Sequence, residues 1–134
     1  LANAGLGVVH GFAGPIGGYF EMPHGVVCGT LLGEATRITI AALFEDATRN
    51  RVALEKYAKA VVLLSGKASI SLRQDCDLLI QTLEDWIELT RLPRLRNFGI
   101  TRSDFHKIID KTTSKNSPMP LNREQLASIL DARL

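Results

Sequence analysis

Cysteine is scarce: the 134-residue chain has two, Cys28 and Cys76. Two thiols make no disulfide framework, so a reducing, cytoplasmic compartment is the expectation. An excess of one charge is also missing. Lys and Arg number 16 against 14 Asp and Glu, a net charge of +2, and no basic run occurs. That leaves no electrostatic reason to expect a nucleic-acid partner. Long apolar runs are lacking as well, because Asn3, His10, Pro15 and several glycines interrupt the first twenty residues. A membrane span of about twenty strongly apolar residues is therefore not expected there, and neither a basic leader region nor a cleavage signal suggests a secretory peptide. No segment alternates with period two, no Asn-Gly or Asp-Gly hairpin signal occurs, and no internal repeat is present.

What remains is a globular balance of 46% hydrophobic and 22% charged residues, enough chain for one core and one domain. Its distribution is uneven. Residues 1–33 carry one charged side chain, Glu21, and nine of the eleven glycines. From Glu34 onward the chain is charged and helix-forming. The head reads as a segment buried inside a larger protein, and a chain that starts at Leu1 within an uncharged stretch reads as a fragment.

The body predicts successive helices. His24 to Phe44 is apolar on most sides, with Pro23 at its entry where a missing N–H costs little. Arg51 to Ser65 places Leu54, Ala58, Val61 and Val62 on one side, with Gly66 as its stop. Ser71 and Gln74 form a capping box ahead of a stripe of Leu72, Cys76, Leu79, Leu83 and Trp86, which is read as core. That helix is expected to end near Leu92-Pro93, since a residue before proline is pushed out of the helical region. Phe98 to Ile100 reads as a turn, Thr101 and Asp104 repeat the capping pattern, Thr112 to Pro120 is a polar loop, and Asn122 caps a last helix. The fold class is all-α, a helical bundle.

Chemistry-bearing residues concentrate in the head. His10 is expected on a helix that stops around Gly14-Pro15, and His24 opens the next helix. A turn from Pro15 to Pro23 is long enough to fold one helix back on the other, which would let the two imidazoles meet and offer neutral nitrogens to iron, zinc or nickel. On spacing alone the commoner reading is histidines held in a glycine-rich packing interface, because two such residues make no motif and a metal wants three or four ligands. Cys28 lies one turn after His24 on the same face, although a small buried hydrophobe is its commoner role. Glu21 is a further candidate ligand or a solvated turn carboxylate, and His106 reads as a surface residue. Gly5-x-Gly7-x-x-His10 lacks the third glycine and the preceding strand of a dinucleotide fingerprint. Glu84 and Asp85 are adjacent and point different ways, so they make no acid–base pair, and Ser65-Gly66-Lys67 is a helix end.

The run from Asn3 through Ala4-Gly5-Leu6-Gly7-Val8-Val9-His10-Gly11-Phe12-Ala13-Gly14-Pro15-Ile16-Gly17-Gly18, continuing to Pro23-His24-Gly25 and Cys28, resembles the signature of the iron-containing, or group III, alcohol dehydrogenase family. Leu92 to Leu95, Phe98-Gly99-Ile100 and the loop Asn116 to Leu121 are similar to that family's C-terminal end. The resemblance implies that residues 1–134 form part of the C-terminal, dehydroquinate synthase-like helical domain, with the N-terminal dinucleotide-binding domain and an upstream Asp- and His-bearing helix lying outside the chain. It implies that His10 and His24 are two ligands of a divalent metal, Fe²⁺ or Zn²⁺. It further implies hydride transfer between an alcohol or aldehyde and NAD or NADP, a homo-oligomer, and inactivity of the chain alone. Gly7, Gly11 and Gly14 would allow close helix approach, and Gly17-Gly18 the positive φ of a tight turn. Many relatives carry another histidine four residues after the first ligand, where this chain has Gly14. The maleylacetate reductases are relatives described as working without metal. A non-catalytic helical packing module, with the head as its docking surface, is the alternative from another class.

Overall fold

The computed structural model describes residues 6–113 and 117–134. The first residues of the histidine signature, 3–5, and Asn116 of the polar loop lie outside them. Six α-helices follow in order: α1 Leu6–Phe20, α2 His24–Phe44, α3 Arg51–Ser65, α4 Leu72–Thr90, α5 Phe105–Lys111 and α6 Arg123–Ala132. Two short 3₁₀ turns, Leu95–Phe98 and Arg102–Asp104, stand between α4 and α5. No strand occurs among the described residues, so the fold is all-α.

The central helix is α2, which packs against α1, α3, α4 and α6. Length and composition would let α2 cross a membrane, yet over half of its most apolar stretch is buried among those neighbours, as befits a core helix. Its N-terminal half contributes Val27, Leu31 and Ala35 to one apolar cluster, shared with Val8, Phe12 and Ile16 of α1, Ile108 of α5 and Ile129 of α6. Its C-terminal half contributes Ile40 and Leu43 to a second cluster with Leu54 and Tyr57 of α3 and Cys76 and Leu79 of α4. Gly33 lets α4 come close, since a Cβ there would lie 3.0 Å from the Ile87 side chain.

Local signals set most boundaries. Gly66 closes α3 in the left-handed conformation (φ 69°), and the Ser71 hydroxyl accepts the N–H of Gln74 at the start of α4. Asn122 and Gln125 exchange reciprocal capping bonds of 2.8 Å at the start of α6. Thr101 and Asp104 form the expected box, which heads the 3₁₀ turn leading into α5. α4 ends at Thr90, slightly before Leu92-Pro93, because Arg91 turns left-handed (φ 52°) and Leu92 N–H reaches back to the Ile87 carbonyl, a Schellman-type closure.

Three expectations for the head need correction. α1 does not stop at Gly14-Pro15 but continues to Phe20 with Pro15 inside it. An interior proline costs about 3 kcal/mol, whereas fully burying one large aliphatic side chain contributes about 1.5–3 kcal/mol. Continuing the helix keeps Ile16 on the face of Val8, Val9, Phe12 and Ala13, all buried, and brings Phe20 onto the same cluster. Gly14 also lacks the Cβ that would clash with a following proline ring. The turn is consequently three residues, Glu21 to Pro23, and not nine. Gly17 and Gly18 are helical, and the positive φ falls on Glu21 (φ 53°).

The α4 stripe departs from expectation at one position: Trp86 is 45% exposed, and Ile87 is buried in its place. The C-terminus is tied down by Arg133. Its guanidinium donates to Thr30 Oγ1 (2.9 Å) and to the Leu92 carbonyl (3.0 Å), while its own carbonyl accepts from Leu95 N–H (2.9 Å). Thr30 in turn donates to the Pro93 carbonyl (2.9 Å).

Candidate metal centre

A three-residue turn joins α1 to α2, and the two helices pack so that both head histidines come together. His10 lies in the first half of α1, and His24 is the first residue of α2. The turn is held by Val26 and Val27 N–H groups, both donating to the Pro23 carbonyl at 3.0 Å, and by Met22, which is buried in the core. At the C-terminal end of α1 the Lys107 ammonium sits 4.9 Å from the Tyr19 ring centroid and 5.0 Å from that of Phe20, a cation–π contact that also places positive charge at a helix C-terminus. α1 is thereby fixed to α5 as well as to α2.

His10 Nδ1 stands 3.1 Å from His24 Nε2, with the rings stacked at a centroid distance of 5.1 Å and an interplanar angle of 29°. Two ring nitrogens this close need something between them. Either one N–H donates to the other's lone pair, or a cation accepts both lone pairs. The spacing fits either option, since 3.1 Å is an ordinary hydrogen-bond distance and also one that a shared cation can bridge. With metal–nitrogen bonds of about 2.05 Å, a 3.1 Å separation corresponds to an angle of about 100° at the cation, between tetrahedral and octahedral values. The donor set also suits zinc or iron(II), for which imidazole is a good ligand.

Both rings are exposed, so this chain offers them from an open face. Cys28 joins them one turn along α2, half-buried, with Sγ 3.9 Å from His10 Nδ1. The ligand atoms of His10, His24 and Cys28 all lie within 4.8 Å of one another. Burial pushes the Cys28 thiol above its ordinary pKa. The i, i+4 spacing from His24 was the sequence signal for this thiol, which is half-buried and also packs against the apolar cluster that α1 and α2 share.

The remaining candidates stay apart. Glu21 is exposed in the left-handed turn and lies outside the cluster found among the described residues. His106 is exposed on α5, and Glu84 and Asp85 sit on α4. Of the glycines expected to permit close approach, Gly11 does so: a Cβ there would overlap the Thr113 carbonyl oxygen. Gly14 does not, since nothing lies within 4 Å of where its Cβ would be. That position, one turn beyond His10, is empty space.

Comparison with known proteins agrees with this architecture. The family model for the Fe-containing alcohol dehydrogenase family, C-terminal, matches residues 1–134. The crystal structure of a 1,3-propanediol oxidoreductase superposes with a TM-score of 0.76 at 24% identity, over 95% of this chain and 32% of that one. At that identity the likeness speaks for the fold, and the chain spans about a third of that protein's length. No curated protein matches the sequence. With a family match along its whole length and the corresponding helical fold, the chain belongs to the Fe-containing alcohol dehydrogenase family, as a C-terminal part.

Proposed function

We propose that this chain supplies part of the catalytic domain of a metal-dependent, NAD(P)-linked oxidoreductase acting on alcohols or aldehydes. His10 and His24 are two ligands of a divalent cation, Fe²⁺ or Zn²⁺. The observation that carries this reading is the 3.1 Å convergence of their nitrogens where α1 and α2 pack together. A packing module without catalysis has no need of two exposed imidazoles aimed at one point. Val8, Val9, Phe12 and Ile16 of α1, which such a module would use for docking, are buried within the chain.

The reaction moves a hydride between the alcohol carbon and nicotinamide, and a proton leaves the alcohol oxygen in the oxidative direction. When bound, the cation supplies Lewis acidity toward that oxygen. The chain's own residues hold and orient it: α1 and α2 set the two imidazoles, and the Pro23 carbonyl anchors the turn between them. Gly14 leaves the space one turn beyond His10 open. This chain therefore offers no imidazole there to orient substrate or relay a proton, and its substrate differs from a simple primary alcohol. In this reading the nicotinamide is held by a domain outside the chain.

The test compares the purified chain with a longer protein that joins it to a dinucleotide-binding domain. The chain alone is expected to show no NAD(P)-linked alcohol turnover. In the longer protein His10→Ala and His24→Ala should each lower kcat by about a hundredfold or more, in keeping with the several kcal/mol of transition-state stabilisation a Lewis-acid metal provides. Turnover by the chain alone, or full activity in both variants, would overturn the proposal.

A further inference from the structure

We infer that the Cys28 thiolate is a third ligand of the cation held by His10 and His24, making this chain's share of the site a mixed nitrogen–sulfur set. The inference rests on the metal reading above and adds a residue to it. Three observations carry it. Cys28 and His24 are four residues apart on α2, so their side chains rise from one face. The Sγ to His10 Nδ1 distance is 3.9 Å, inside the about 4.3 Å that one zinc bond to nitrogen and one to sulfur span at full stretch. With those bond lengths the angle at the cation is about 125°, within reach of a distorted tetrahedron. Finally, all three ligand atoms fall within 4.8 Å of one another, so the widest pair has to close by at most about 0.5 Å, a small side-chain rotation, to come within that span.

The thiol is also positioned unlike the other cysteine. Cys76 is fully buried between α3 and α4, its S–H directed at the Leu54 carbonyl (3.7 Å). Cys28 is half-buried and faces the two exposed imidazoles. A soft sulfur donor beside two imidazoles shifts the preference toward zinc and away from hard, oxygen-seeking cations such as Mg²⁺.

The test is titration of the reduced, metal-free chain with Co²⁺, followed by absorption spectroscopy, which separates sulfur from nitrogen ligation without any assay of activity. The expected result is one Co²⁺ per chain with visible d–d bands and a near-ultraviolet thiolate-to-cobalt charge-transfer band. Cys28→Ser should abolish the charge-transfer band and weaken Co²⁺ binding by about tenfold or more, at least the effect of losing an outer-shell partner. Cys76→Ala, checked for folding by circular dichroism, should keep the band. Two results would overturn the inference while leaving the histidine pair in place: saturable d–d bands without a charge-transfer band, or a charge-transfer band that survives in Cys28→Ser. Absence of any saturable cobalt spectrum would overturn both the inference and the reading beneath it.

Discussion

Two glycines in α1 should respond oppositely to the same substitution. Replacing a helix-interior glycine with alanine ordinarily stabilises by about 0.5–1 kcal/mol, through the lower conformational entropy of the unfolded chain. Gly18 is exposed, helical and free of neighbours within 4 Å of a Cβ, so Gly18→Ala should gain up to about 1 kcal/mol. Gly11 is buried, and its Cβ would overlap the Thr113 carbonyl oxygen. That carbonyl belongs to backbone that cannot swing aside easily, because the preceding Thr112 donates its N–H to Ile109 (3.0 Å) and its hydroxyl to Ile108 (2.8 Å). Overpacking of this kind costs about 1–3 kcal/mol, and more where backbone must move. The cost exceeds the helix-propensity gain, so Gly11→Ala should destabilise by about 1–2 kcal/mol. Urea unfolding at unchanged slope is the assay. Because His10 is the adjacent residue, displacement of α1 should also weaken Zn²⁺ binding by Gly11→Ala but not by Gly18→Ala. A Gly11→Ala chain as stable as Gly18→Ala would refute the packing argument.

Three further outcomes follow from titrating groups and thiols. The Asp104 carboxyl accepts the Thr101 N–H at 2.9 Å and lies near Lys107, which together hold its pKa below the usual carboxylate value. Its contribution is therefore full above the ordinary carboxylate range and is lost as pH falls through the lowered native value, so the stability cost of Asp104→Ala should shrink toward zero in acid unfolding series. At the other extreme, burial and the nearby Asp77 push the Cys76 thiol up to about 11. The unfolded chain then releases that proton first, and stability should fall as pH rises above about 8.5, with Cys76→Val flattening the decline in urea titrations. Iodoacetamide under native conditions should modify Cys28 and spare Cys76, with Zn²⁺ protecting Cys28; mass mapping that finds Cys76 modified first would contradict the assigned burial.

The sequence was most legible where local chemistry and tertiary packing agree. α2 and α3 begin and end where Pro23, Phe44, Arg51 and Gly66 indicate, because a pre-set φ at entry and a left-handed glycine at exit act within a few residues. α1 was misjudged for the opposite reason. Pro15 and Gly17-Gly18 are local signals for a turn, but burial of Ile16 and Phe20 against α2 outweighs them, and the reversal moves to Glu21. Trp86 shows the same limit. A one-residue choice between Trp86 and Ile87 for the inner face depends on where α2 lies, which the α4 periodicity does not encode. The clasp of Arg133 on Thr30 and Leu92 joins residues too far apart in sequence for any motif. In the candidate site, the convergence of His10 and His24 was open to expectation from a turn that folds one helix back on the other, whereas the distance between them depended on how α1 and α2 pack. Cys28 carried only its i, i+4 spacing.

In the proposed reading, His10 and His24 form a preset pair for a divalent cation. Isothermal calorimetry of Zn²⁺ and, under anaerobic conditions, Fe²⁺ into the chain tests it directly, with His10→Ala and His24→Ala as paired variants. The expected result is saturable binding of one cation per chain, lost in each variant while helical content stays unchanged. No heat of binding, or binding that survives both substitutions, would contradict it.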